Sequence, residues 1–587
     1  MTLKKSFRNN AFLELLKFSF KKNLGFTLIA SLVALLLGPF RLIRELFFNS
    51  HTPLDNLALY FDTKEDFGGL AIFMSLLCGA FLIFLILYNF SYLFKKNASD
   101  AFHSFPLKRS ELVLSKFVPV FLLSLIPLAV AFVGEMMVFA ACKIPYDLFL
   151  VLRYLAFIVS AMLMCGGFTL IFVICSGTAM DSVFFFAAIG GGLPIIVGLC
   201  EGFAQSLLYG YTSSGDAFLK IATYTSPYFF SGYNLIEFTT GNGLDFTAAK
   251  WYTWVTMAVL GVAFVGVSVL AYNHRKSEKA GEPYAFKAVP IIICFVVSFV
   301  SSIVLGLVFE GFDFSGTLVF WGFALFGALL SATIYGAVAY RGFKQVKKSL
   351  LIGGGAFLLA IVVVASFALD VFGFETRIPE KEQVKSVSVA FGGEVVNFEA
   401  DELDLVIDLH NDFIEARGAG HQLYRSVDLT YALKDGSYLN RDYNITEEYG
   451  VKPLFAIYKS KTRLDYLKSK FDKAAKNGYV NFSYSGASAE ATETGNYFNK
   501  VLTSKDFKTL FELYEKEIKN ISFEEFKSVY TDGYDKEIRY IDIAIKDERH
   551  DDVNYYPYDY VNLYLYESMT ETIAFVQALP NAHNEQK

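Results

Sequence analysis

GLAIFMSLLCGAFLIFLILYNFSYLFKK, residues 69–96, decides how the rest of the chain is read. Positions 69–94 hold no Asp, Glu, Lys or Arg, and two lysines close the run. About 20 apolar residues in a helix cross the hydrocarbon of a bilayer, and basic residues collect beside the cytoplasmic ends of such helices. Working outward, eight similar runs lie near 24–43, 112–140, 151–177, 182–208, 251–272, 287–309, 317–340 and 349–372. The composition agrees with nine spans. The 587 residues are 54% hydrophobic and 19% charged, against roughly 45–50% and about 25% for soluble globular domains.

Charge divides the chain in two. Residues 1–372 carry 26 Lys/Arg against 20 Asp/Glu, and residues 373–587 carry 26 against 38. The expected class is a polytopic α-helical membrane protein with a C-terminal soluble α+β domain. Basic residues sit before the first run (Lys4, Lys5, Arg8, Lys17, Lys21, Lys22), after the second (Lys95, Lys96, Lys108, Arg109, Lys116), after the sixth (Arg275, Lys276, Lys279, Lys287) and after the eighth (Arg341, Lys344, Lys347, Lys348). The alternate loops are poor in them. The positive-inside rule then puts the N-terminus in the cytoplasm and the acidic domain outside the cell membrane. These clusters read as topology rather than as a phosphate-binding stripe, so no nucleic-acid partner is expected.

The expected segments are a cytoplasmic interfacial amphipathic helix over 1–23, a six-helix domain over 24–272, a cytoplasmic loop over 273–286, three further spans over 287–372 and an extracytoplasmic domain over 373–587. The basic N-terminal stretch is too long for a cleavable signal peptide. Residues 224–238, YTSPYFFSGYNLIEF, are an interfacial aromatic belt, or a segment that dips partly into the membrane or lids an outer vestibule. The six cysteines stand apart, without a C-x-x-C pair, and read as small buried hydrophobes.

Chemistry-bearing motifs are few. G-x-x-x-x-G-K-[ST], H-E-x-x-H and G-x-S-x-G do not occur, so ATP hydrolysis, metalloprotease and serine-hydrolase chemistry have no motif to rest on. No catalytic residue, metal ligand or cofactor is assigned. Ionisable groups inside spans are functional candidates by default, which singles out Glu135 and Glu201; the alternative is that both snorkel to headgroups. The loop KKNASDAFHSFPLKRSELVLSKF (95–117) is the most informative. Pro106 breaks it, Ser99 and Ser110 suit helix N-caps, and Phe102 and Phe105 suit either an interfacial anchor or docking into a partner's groove.

At this loop the sequence resembles the type-2 ABC exporter permeases. AFHSFPLKRSELVLSK (101–116) is similar to their short cytoplasmic segment, and HRKSEKAGEPYAF (274–286) resembles a stretch after the sixth span in a Gram-positive subgroup. The resemblance covers roughly residues 1–290. It implies that Phe102, His103, Phe105, Pro106, Lys108 and Arg109 contact a separate ATPase subunit, which binds the ATP. It places Arg275, Ser277, Glu278 and Gly281 in a second cytoplasmic segment of unassigned role. It implies a homo- or heterodimer of permease subunits in membrane lipid. The alternative is a membrane-anchored sensor or scaffold that binds an extracellular ligand through the C-terminal domain without transport.

In that domain, SVSVAF (386–391), IRYIDIAI (538–545) and YVNLYLYES (560–568) read as strands, and 426–445 as a hairpin turning at Lys434-Asp435-Gly436. Residues 401–417, 504–518 (Ser504 as N-cap) and 570–579 read as helices, the first with Leu403, Val406, Ile407, His410 and Ile414 near one face. His410 and His421 are candidate metal ligands without companions. The tyrosines of 555–566 form a packed face or a binding edge.

Overall fold

The computed structural model describes residues 2–48, 63–212, 217–240, 251–282, 284–310, 317–399, 402–417, 422–446, 448–477, 479–485, 497–531, 539–546 and 558–581. The chain forms two compact units, Met1–Gly202 with Gly215–Ala365, and Phe203–Ser214 with Ser366–Lys587. Loops 49–62, 241–250 and 311–316, and His421, lie outside the described residues.

The first unit is helical. Its elements in chain order are α1 (Thr2–Leu37), α2 (Pro39–Phe48), α3 (Thr63–Asn89), α4 (Lys96–His103), α5 (Arg109–Ala141) and α6 (Leu148–Cys175). Next come α7 (Ala179–Leu207), α8 (Ala217–Thr225), α9 (Pro227–Thr240), α10 (Trp251–His274), α11 (Val289–Glu310), α12 (Thr317–Ala339) and α13 (Val346–Ala368). Among the described residues nine helices are long and apolar enough to cross a membrane, one for each run read from the sequence. Large apolar side chains such as Leu28, Phe73, Leu76, Val262 and Val362 are mostly exposed on the outside of this unit. In water that surface would be costly.

Two boundaries differ from expectation. The break expected at 23/24 is absent, because α1 runs unbroken from Thr2 to Leu37. Ser19, Asn23 and Thr27 recur at helical spacing and are all buried. The Asn23 amide donates to the Ser19 carbonyl and exchanges hydrogen bonds of 2.9 and 3.0 Å with Asn89 on α3, which commits this stretch to the bundle. Polar pairs of this kind hold helices together where solvent cannot compete. At the C-terminal side, α13 ends at Ala368 rather than 372, where Asp370 (φ +45°) and Gly373 (φ +61°) turn out of the helix.

The α6 helix is the most buried of the nine long apolar helices. Its Gly167 lies against Gly261 of α10, where a Cβ on either would come within 2.8 Å of the other helix's backbone; only glycine permits that approach. The 224–238 segment doubles back as α8 and α9, joined at Ser226. The Tyr228 and Thr169 hydroxyls lie 2.6 Å apart, and Phe238 packs on Tyr154 at 4.5 Å. Thr169 is near the Cys175 end of α6 and Tyr154 near its start, so α9 lies along the length of α6.

The second unit is α+β. It contains β1 (Val384–Phe391), β2 (Glu394–Phe398), α14 (Leu403–Glu415), β3 (Gln422–Leu433), β4 (Tyr438–Thr446), α15 (Val451–Tyr458) and α16 (Lys461–Asn477). Then follow β5 (Tyr479–Ser485), β6 (Tyr497–Asn499), α17 (Ser504–Ile518), α18 (Phe523–Thr531), β7 (Arg539–Lys546), β8 (Tyr558–Leu565) and α19 (Thr570–Ala578). Two antiparallel sheets have the orders β2-β1-β3-β4 and β6-β5-β7-β8. Strand for strand these are the same arrangement, with helix between the second and third strands and after the fourth. The unit is two copies of one ββαββα plan around a shared core. The expected strands, hairpin and helices are present. The N-cap of α17 is Thr503 rather than Ser504, its hydroxyl accepting from the Asp506 N–H. Val561 and Leu563 of the tyrosine-rich strand are buried and packed.

Three buried polar clusters order this core. Arg463 of α16 makes two hydrogen bonds with Glu394 of β2, at 2.7 and 2.6 Å, and stacks 3.6 Å over the Tyr458 ring. Arg441 donates to the carbonyls of Phe374 (2.7 Å) and Arg377 (3.1 Å). His410 is fully buried, its ring nitrogens 2.8 Å from the Tyr431 hydroxyl and 2.9 Å from the Tyr443 hydroxyl. Both nitrogens are occupied, so the metal-ligand alternative for His410 does not hold. The residues buried on α14 are Leu403, Val406, Leu409, His410 and Phe413, a face turned from the expected one so that Ile407 and Ile414 flank it.

The unit also includes residues 203–214. The Tyr209 N–H donates to Glu375 at 2.8 Å, and the Gly210 carbonyl accepts from the Asp442 N–H at 3.2 Å. Gly210 has φ +71°, and a Cβ there would run into the Tyr443 ring.

Burial, and next the Arg441 guanidinium, push the proton affinity of His410 down to about 3. Unfolded histidine titrates near 6.5. Stability is therefore complete above about pH 6.5 and falls as the unfolded state takes up a proton that the folded state refuses, until about pH 3. Between pH 7 and pH 5 the loss from this group is about 2 kcal/mol. Unfolding of the full chain followed against pH should show that slope, and His410→Gln should remove it while lowering stability at pH 7.

Candidate functional site

Three helix ends meet at one place. After α3 the chain makes a 3-10 turn at Ser91–Phe94 and enters α4. Arg275, just past α10, is 3% exposed. Its Nη1 donates to the carbonyls of Ile174 and Ser176 (2.6 Å), and its Nη2 to that of Leu93 (2.9 Å). Arg109, opening α5, sends Nη1 to the carbonyls of Tyr272 (3.2 Å), Asn273 (2.9 Å) and Arg275 (2.6 Å). Cations suit such sites, because the last carbonyls of a helix have no internal partner and carry the negative end of its dipole.

Aromatic groups fill the space between. The Tyr272 hydroxyl lies 3.2 Å from that of Tyr92 and 2.9 Å from Nε2 of His103. Burial first, then the Arg109 guanidinium, lower the proton affinity of His103. The Phe102 ring packs 4.4 Å from Tyr92, with the ammonium of Lys116 at 4.3 Å, a cation–π contact. Lys116 is 2% exposed. Its charge, expected to face the cytoplasm as a topology marker, serves packing instead.

The second predicted segment is clipped to the same end. Ser176 pairs with Tyr284 as an antiparallel bridge. The Ala285 N–H donates to Cys175 (2.9 Å) and the Gly281 N–H to Gly177 (3.1 Å). Gly281 has φ +81°, conformational freedom that favours glycine, and a Cβ on Gly177 would strike the Glu282 carbonyl oxygen.

The loop and the segment, about 170 residues apart in sequence, thus form one surface. Of the predicted residues, Phe102, His103, Arg109 and Arg275 turn inward and hold it together. Phe105, at 46% exposure, faces out with Pro106, Lys108 and Glu278. The side chain of Ser277 lies outside the described residues. Two expected caps differ. Ser99 is buried inside α4, and the N-cap of α5 is Lys108, whose backbone N–H donates to Glu111 at 3.0 Å. Tyr92, Gly177 and Tyr272 were not singled out from sequence, and Lys116 was read only as a topology marker. For Gly177, its place in the tight SGTAMDS turn was a usable signal.

The four basic clusters gather at this end. Lys22 lies 4.0 Å over the Tyr88 ring, Lys95 and Arg109 belong to the loop, and Lys279, Lys287 and Lys348 line one hollow of about 460 Å³. Glu135 sits toward the opposite end of α5. It is 0% exposed and neither carboxyl oxygen has a hydrogen bond, so it does not snorkel. Glu201 is half-buried. Among the described residues no group of three or more His, Cys, Asp or Glu is placed to hold a metal ion.

Lysine offers three donors from a single atom and cannot fork to carbonyls on separate helices. Arg275→Lys should therefore lower stability by roughly 2–4 kcal/mol, read as an early thermal unfolding midpoint of the full chain in detergent. Lys276→Ala, at an exposed neighbour, should leave the midpoint within error. Comparison with protein-family models, with curated proteins and with solved structures returns no match for this chain.

Proposed function

We propose that this chain is the membrane-spanning permease subunit of an ABC exporter, energised by a separate ATPase subunit that binds the ATP. The observation that carries the reading is the outward elbow Phe105-Pro106-Lys108, mounted on the surface that Arg109 and Arg275 clamp to the ends of three helices. An exposed aromatic on a rigid base suits a groove on a partner, where a few such anchors supply most of the affinity. The base also ties α3, α6 and α10 together, so a push on α4 is delivered to three spans at once. ATP-driven closure of the partner would then switch the spans between two packings.

In this reading the helical unit lies in the cell membrane with its basic end in the cytoplasm and the acidic unit outside, in accord with the four gathered basic clusters. A second permease subunit, identical or a paralogue, completes the pathway.

Purification of the full chain from native membranes in mild detergent should recover a P-loop ATPase. Phe105→Asp should cut that recovery at least about tenfold, as loss of a hot-spot side chain costs ~2 kcal/mol or more. Absence of any ATPase overturns the reading. Protease added to intact spheroplasts should trim the acidic unit, and digestion only in inverted vesicles would overturn the orientation.

A further inference from the structure

The carboxyl of Glu135 has no accessible surface and no hydrogen-bond partner. It is pressed against the junction of α1 and α2. A Cβ on Gly38 would sit 3.6 Å from its Oε2, and one on Gly134 would sit 3.3 Å from the Pro39 Cβ. Proline brings no N–H, so that residue of the junction offers the carboxyl no donor. The charged groups facing it are Arg41 and Glu45 on α2 and Asp66 on α3. Arg41, the cation among them, is engaged elsewhere, 3.4 Å from Glu45 and 3.4 Å from Asp66. On α6, Arg153 lies over the Phe149 and Phe238 rings instead.

An ionised carboxylate in such a place, unpaired and facing two further carboxylates, costs several kcal/mol. A neutral acid costs far less. Both carboxyl oxygens are buried without a partner, and the nearby Arg41 guanidinium opposes a metal cation. We propose that Glu135 is a proton-binding site, with the carboxyl protonated when α2 is packed on α5 as here and ionised when Arg41 leaves Glu45 and Asp66 to pair with it. The step is a simple dissociation in which Glu135 keeps the O–H electron pair and the proton passes to water. Proton uptake favours the packed arrangement, and proton release favours one in which α2 has shifted on α5 so that Arg41 leaves Glu45 and Asp66 and becomes the counter-ion of the carboxylate. The proton thereby biases the first span independently of any event at the Arg275 end.

Infrared spectra of the full chain in lipid, wild type minus Glu135→Gln at pH 7, should contain the carbonyl stretch of a carboxylic acid free of hydrogen bonds. The band should shift in D₂O and fade as pH rises. In Arg41→Gln, which removes the counter-ion of the ionised form, the fading should move up by on the order of one pH unit. Should Glu135→Gln not fold, ¹³C-glutamate-labelled wild type titrated alone reads the same band. A difference confined to ionised-carboxylate bands at pH 7 overturns the proposal, and so does an unchanged titration in Arg41→Gln.

Discussion

A single guanidinium governs how the helical unit closes at its basic end. Arg275 reaches the carbonyls at the end of α6 and in the 3-10 turn that follows α3 from a position just past α10, and Arg109 caps α10 in turn. None of these bonds is between side chains. Arginine reads backbone here, so the geometry depends on where the helices stop and not on which residues line them. A buried cation without a carboxylate is tolerable only because several carbonyl dipoles converge on it. Loosening any one helix end therefore leaves a charge unsatisfied, which makes the three ends move as one body.

How much of this was legible depends on the kind of signal. Nine apolar runs and four basic clusters are written in composition, which local packing cannot overturn, and the structure has a helix for every run. The direction of single side chains is another matter. Phe102 and Phe105 are three apart and would share a face had the helix continued. It ends at His103, so the Phe102 ring packs under Lys116 while the Phe105 ring leans on it from the exposed side, their centroids 5.8 Å apart. Arg275 read as a charge beside a span because nothing in a neighbouring stretch of sequence reveals carbonyls contributed from 99, 101 and 182 residues away, and Lys116 read the same way although the rings of Phe102 and Tyr92 cover it. Glu135 was visible as an ionisable residue in an apolar run, but its isolation comes from Gly38 and Pro39 on another helix.

The acidic unit was legible as strands and helices and not as a repeat. Its two ββαββα halves differ in side chains, and identical strand order emerges only from pairing. The polar clusters differ as well. The first half buries His410 between two tyrosines, while Arg463 and Glu394 join the first sheet to the helix that precedes the second half. The halves share one core, so neither closes without the other.

The contribution of Tyr209 and Gly210 to that unit has a consequence for how the protein is made. The carbonyl that meets Asp442 leaves the ribosome more than 200 residues ahead of its partner. The acidic unit must therefore return to a site laid down before four of the nine long apolar helices exist. A fragment of residues 373–587 would lack both the Gly210 carbonyl that Asp442 meets and the Asp370 carboxylate that accepts from the Phe374 and Glu375 N–H groups.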